Sequence, residues 1–189
     1  MAGTLYGTTY AGGGGSGCHN SGCGTVFSMT PAGTVKVLHT FEGGNDGSFL
    51  WSGLTNVKGT LYGMTQEGGS TGCGDNGCGT VFSLTPAGAV SVVHAFGSLP
   101  DAESPILDSL TKVGDTLYGT TTFGGAYGEG TVFSISPAGV ETVIYSFQAG
   151  NDGAQPEAGL ISVGGTLYGT TSGGGSGSCD CGTVFAITP

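Results

Sequence analysis

Apolar residues in this chain alternate with small or polar ones in short runs, and no stretch carries the 3.6-residue spacing of an amphipathic helix. In Thr25-Val26-Phe27-Ser28-Met29 the alternation puts Phe27 and Met29 on one face and Val26 and Ser28 on the other, because successive side chains of a strand point to opposite sides. Equivalent runs recur along the chain, and neither face is strongly polar. That predicts sheets covered on both sides, bulky residues against small ones, as stacked propeller blades require.

Four segment types, A to D, repeat in order. Segment A comprises 52–57, 107–113 and 159–163, each ending at a glycine-bearing hairpin turn such as Lys58-Gly59. Segment B is Leu-Tyr-Gly-x-Thr, at Leu5 to Thr9, Leu61 to Thr65, Leu117 to Thr121 and Leu167 to Thr171. Segment C opens with Gly-Thr-Val-Phe and stops at Pro31, Pro86, Pro137 and Pro189, since proline cannot donate to a ladder. Segment D is 35–41, 90–96 and 142–147. A repeat of roughly 50 residues marks a propeller or solenoid. The prediction is an all-β fold, a β-propeller of four-stranded antiparallel blades with units near 3–51, 52–105, 106–156 and 157–189. The first unit lacks segment A and the last lacks segment D, so the expectation is either a four-bladed ring with two trimmed blades or part of a larger propeller completed by further sequence or by a second copy, and a truncated arc is expected to self-associate.

Composition narrows the class. Thirteen acidic residues against three lysines and no arginine argue against nucleic acid. No apolar run is long enough to span a membrane, and no export signal is visible. Cys18 and Cys23, then Cys73 and Cys78, share the spacing C-x4-C at equivalent loop positions, which reads as disulfides in an extracellular or cell-surface protein. A zinc site shared between loops is the rival reading, with C-x2-C the commoner zinc spacing. Cys179 and Cys181 flank one residue, leaving open a free pair, a strained bridge or a partner in another chain.

The order Leu-Tyr-Gly-Thr-Thr, Gly-Gly, Gly-Thr-Val-Phe, Pro-Ala-Gly, His-x-Phe and Asn-Asp-Gly resembles the bacterial GloVer tandem repeat over essentially the whole chain. The third copy departs by lacking the cysteine pair, and Gly97 to Asp101 replaces one Asn-Asp-Gly loop. The resemblance implies a propeller in secreted or surface-anchored bacterial proteins, usually with more repeats and a separate anchor. It implies no activity.

Segments B to C and D to A are joined by long, variable, glycine-rich connections that emerge on one side of the fold, where binding usually lives. They carry Glu42, Asp46, Glu67, Asp75, Asp101, Glu103, Glu129, Asp152, Glu157 and Asp180, while Lys36, Lys58 and Lys112 lie elsewhere. Asn45-Asp46 and Asn151-Asp152 are candidate calcium ligands, with ordinary turns as the alternative. Trp51, Tyr10, Phe123 and Tyr127 are candidates to stack on sugar rings, with packing between blades as the alternative. His39, His94 and Tyr145 share one repeat position and read as packing, and His19 has no equivalent. No catalytic triad, activated cysteine or phosphate loop stands out, so no catalytic residue and no cofactor beyond calcium is expected. The reading is a non-enzymatic module that presents an acidic face to a glycan or protein. A self-assembling structural protein and an extracellular hydrolase or lyase using loop carboxylates are the alternatives.

Overall fold

A computed structural model describes residues 3–14, 17–18, 21–69, 72–97, 99–106, 109–176 and 180–189. The strands are β1 (Leu5–Thr9), β2 (Thr25–Met29), β3 (Val35–Thr40), β4 (Thr55–Val57), β5 (Thr60–Thr65), β6 (Thr80–Leu84), β7 (Val90–Ala95), β8 (Ala102–Glu103), β9 (Thr111–Val113), β10 (Thr116–Thr121), β11 (Phe123–Gly124), β12 (Thr131–Ile135), β13 (Glu141–Ser146), β14 (Ile161–Val163), β15 (Thr166–Thr170) and β16 (Val184–Ile187). They form four antiparallel blades, β1-β2-β3, β4-β5-β6-β7, β9-β10-β12-β13 and β14-β15-β16. The fold is an all-β propeller, and among the described residues only short 3-10 turns at Gly44–Asp46, Gly74–Asn76 and Gly150–Asp152 depart from strand and loop.

The two sequence motifs are the two sides of one lock. In every blade the glycine of Leu-Tyr-Gly sits opposite the phenylalanine of Thr-Val-Phe, as in Gly63↔Phe82 and Gly119↔Phe133. A Cβ on Gly63 would lie 2.6 Å from the Phe82 ring, and one on Gly119 would lie 2.7 Å from Phe133. The ring lies over the glycine and fills the space a side chain would take. The last threonine of one motif bonds the first of the other, with Thr65 and Thr80 hydroxyl oxygens 2.8 Å apart, Thr121 and Thr131 likewise 2.8 Å, and Thr9–Thr25 and Thr171–Thr183 both 2.9 Å.

Blades pack through apolar clusters, each shared by two consecutive repeats. One face of the first blade meets the second through Val26, Phe41, Leu61, Phe82 and Leu84. The second meets the third through Val57, Tyr62, Met64, Val81, Phe96, Leu117, Phe133 and Ile135. The third meets the fourth through Tyr118, Val132, Phe147, Leu160 and Leu167, with Phe185 and Ile187 against them. Each junction is pinned by an edge-on aromatic pair, Phe41–Phe82, Phe96–Phe133 or Phe147–Phe185, with centroids 5.1, 5.2 and 5.1 Å apart. Such a pair adds about 0.5–1.5 kcal/mol beyond its buried area.

Hydrogen bonds tie the innermost strands together. Thr55 Oγ1 donates to the Leu110 carbonyl and Thr111 Oγ1 to that of Leu160, while β9 packs beside both β4 and β14. Each D-to-A crossing pairs with the loop after strand B of the next blade, by the bridge Ser48↔Glu67, the ribbon β8-β11 and the bridge Ala154↔Gly173. These short ladders were invisible to periodicity because one or two residues show no alternation.

Candidate functional site

The connection from β3 to β4 and the loop after β1 bring three aromatic residues together. At the crossing, the framework demands one residue with left-handed backbone. Phe49 (φ 59°), Ser104 (54°) and Gln155 (55°) occupy that place in successive repeats. The Phe49 N–H donates to the Cys23 carbonyl at 2.9 Å, and its own carbonyl accepts from Gln66 N–H at 3.1 Å. Only this crossing puts an aromatic ring at a position that disfavours bulky side chains. Tyr10 stacks on Phe49 with centroids 4.9 Å apart and leans on Trp51 at 4.4 Å. Trp51 Nε1 donates to Gln66 Oε1 at 2.7 Å, which fixes the indole plane. Tyr10 is 42% exposed and Trp51 44%, while Phe49 behind them is partly buried.

Beside it lies a cleft of about 140 Å³ lined by Phe49, Ser48, Glu67, Asp75, Asn76 and Cys18, among others. Its carboxylates and the aromatic platform therefore share Phe49. Of the four aromatic residues singled out from sequence, the structure unites Tyr10 and Trp51. Phe123 (40% exposed) lies in β11 against Glu103, and Tyr127 (58%) lies on the loop after it, both in the third blade. Phe49 was missed, because its signal is a break in the repeat at a place held elsewhere by serine and glutamine.

The D strands carry a second recurring device. Between Val26 and Phe27, Val81 and Phe82, and Val132 and Phe133 the register slips. The bulge turns His39, His94 and Tyr145 toward the following blade, each edge-on to a phenylalanine two residues later. Packing is thus part of their role, and an aspartate seven residues on is the rest. His39 Nε2 lies 3.1 Å from Asp46 Oδ2, Tyr145 donates its hydroxyl to Asp152, and His94 Nε2 stands 4.0 Å from Asp101, too far for a hydrogen bond. Each carboxylate also accepts a backbone N–H of its own turn, from Glu42 at 3.2 Å, Gly97 at 2.7 Å and Gln148 at 2.9 Å. The Asp46 and Asp152 side chains are thus engaged within their turns, with Asn45 and Asn151 exposed beside them. The bond to Asp152 raises the Tyr145 pKa, because the phenol must give up a favourable donation to ionise.

The second of these sites differs from the others. Glu141 opens β13 where Val90 opens β7, and it points at His94 and Asp101. Burial, then the charge of Asp101, pushes its carboxyl up to about 7. Burial lowers the His94 pKa, against Asp101 and the backbone of Gly139. His94 Nε2 and Glu141 Oε1 are both closed to solvent without a hydrogen-bond partner. Among the described residues this is the one group of three such side chains whose ligand atoms lie within 4.8 Å of one another, close enough to hold a cation.

Cys18–Cys23 and Cys73–Cys78 are disulfides, with Cα atoms 5.2 and 5.1 Å apart. Cys181 is also disulfide-bonded, whereas Cys179 and His19 lie outside the described residues. No helix among the described residues is long and apolar enough to cross a membrane.

Among solved structures, the luciferin-regenerating enzyme aligns with 99% of this chain at 15% identity and a TM-score of 0.55, and the chain spans 58% of that enzyme's length. A GH43 β-xylosidase/α-arabinofuranosidase from a compost microbial metagenome aligns with 99% of this chain and 88% of its own at 11% identity and a TM-score of 0.26. The likeness to the first is one of fold alone. It nevertheless corrects the expectation of a non-enzyme, because the architecture shared here is that of an enzyme, and that expectation is withdrawn. No curated protein matches the sequence. Residues 71–189, well over half of the chain and including the third and fourth copies of both motifs, match the Gloeobacter/Verrucomicrobia repeat, and the chain belongs to that family.

Proposed function

We propose that this propeller repeat module binds a glycan on its acidic loop face, at the junction of the first and second blades. The observation that carries the reading is the Tyr10–Phe49–Trp51 platform, with Tyr10 and Trp51 open to solvent, braced by Gln66 and bordered by a cleft lined by Glu67 and Asp75. Aromatic faces stack on the C–H faces of sugar rings, and carboxylates accept hydrogen bonds from sugar hydroxyls. The rings are already stacked on one another and the indole is tethered, so little side-chain entropy is lost on binding. The two disulfides fit an extracellular setting, where such ligands are found.

Trp51 is the single tryptophan of the chain, so its emission reports on this site alone. Titration with a panel of neutral oligosaccharides is expected to change that emission saturably for at least one sugar, with the response lost in Tyr10→Ala. A panel that leaves both the emission and the calorimetric heat unchanged would end the proposal.

A further inference from the structure

The three internal junctions show what each face of a blade requires. The valine of Thr-Val-Phe always faces the following blade, and Val26, Val81 and Val132 are all 0% exposed. Its counterpart Val184 in the fourth blade is 80% exposed. Around it lie Ile161 (62%), Val163 (60%) and Tyr168 (37%), against 4% for Val57 and 6% and 9% for Tyr62 and Tyr118 at the matching places. Ile161, Tyr168 and Val184 border a shallow apolar hollow of about 280 Å³. The opposite kind of face, which elsewhere receives the preceding blade, is bare on the first blade. Leu5 is 58% exposed where Leu61, Leu117 and Leu167 are 4, 0 and 0%, and Val35 and Val37 beside it are 56% and 53% exposed.

We infer that the outer face of the fourth blade docks onto the outer face of the first blade of a second copy of this chain, head to tail. The two bare faces are the two halves of the junction that the chain already builds three times, so the occupant of each is specified by the other. One substitution fits this partner in particular. At the internal junctions Thr55 and Thr111 donate across to a carbonyl that precedes the next blade's A strand, and the matching place in the fourth blade holds Ile161. Among the described residues the first blade's sheet is β1-β2-β3, without an A strand to offer that carbonyl. A threonine there would lose its acceptor, whereas isoleucine adds apolar area to the contact. A heterologous contact of this kind closes into a ring or continues as a filament according to its rotation. The inference is independent of the glycan site, whose residues lie on the loop face at an internal junction.

Sedimentation velocity on the intact chain with its disulfides tests it. The wild type is expected to run at twice 18.4 kDa or more, and Leu5→Asp and Val184→Asp each at 18.4 kDa. Mixing the two variants restores one sound junction, between the Val184 face of the first variant and the Leu5 face of the second, so an equimolar mixture is expected to form a dimer. Both altered side chains are exposed in a single chain, and unchanged Trp51 emission verifies the fold. A wild type that stays at 18.4 kDa up to 100 µM on the order of what a weak dimer needs, or single variants that still associate, would overturn the inference.

Discussion

The junction of the first and second blades and that of the second and third share one framework and differ in what is placed on it. Both have the Gly–Phe lock, the Thr–Thr bond, a disulfide, a crossing residue in left-handed backbone and a ring paired with an aspartate. At the first, Phe49, Tyr10 and Trp51 occupy positions that hold Ser104, Gln66 and Ile106 at the second. At the second, Glu141 replaces Val90 and loads an apolar rim with a carboxyl whose pKa is raised to about 7. The lesson is that function in a repeat fold is to be sought where one copy breaks a rule that the others keep, since the shared framework already accounts for the rest.

The strongest test of the shared framework is Gly63→Ala against Gly119→Ala. Each places a methyl group under 3 Å from a fully buried phenylalanine ring, and each is expected to cost about 2–3 kcal/mol, with similar falls in Tm by calorimetry. Unequal losses would show that the two locks are not equivalent. Next, replacing Cys18 and Cys23 by serine, or Cys73 and Cys78, is expected to cost about 2 kcal/mol at either junction, because both close loops of the same length.

Glu141→Gln probes the difference on the second junction. A carboxyl with a raised pKa keeps a proton in the native state that the unfolded chain has released. Its effect on stability is therefore absent below about pH 4.5 and grows as a penalty until about pH 7. The site is only half-buried, so after solvent screening the penalty is about 1 kcal/mol. The variant should unfold a few degrees above the wild type at pH 8 and together with it at pH 4. Val90→Glu should transfer the same pH dependence to the first junction. The smallest stability effect belongs to Trp51→Ala, below about 1 kcal/mol by denaturant titration, although sugar binding should vanish.

The architecture was legible because strand alternation and spaced motifs repeat, and four copies average out local ambiguity. The aromatic site was half legible. Tyr10 and Trp51 stood out by type, but their meeting depends on a crossing that folds back over the next blade, and Phe49 drew no notice among nine phenylalanines. The ring–aspartate pairs were read only as packing, since seven residues and a bulge separate the partners. The bare end faces were anticipated from the strand count, but which face fits which emerged only from the register.

Each buried cluster draws its residues from two consecutive repeats, so the unit of sequence is not the unit of packing. Removing or duplicating one whole repeat would bring together faces of kinds that already meet, and would create no new type of contact. A cut elsewhere in the cycle would do the same, provided it spans one full period. Chains of this design can thus change length by whole repeats through simple recombination while every core they bury stays familiar.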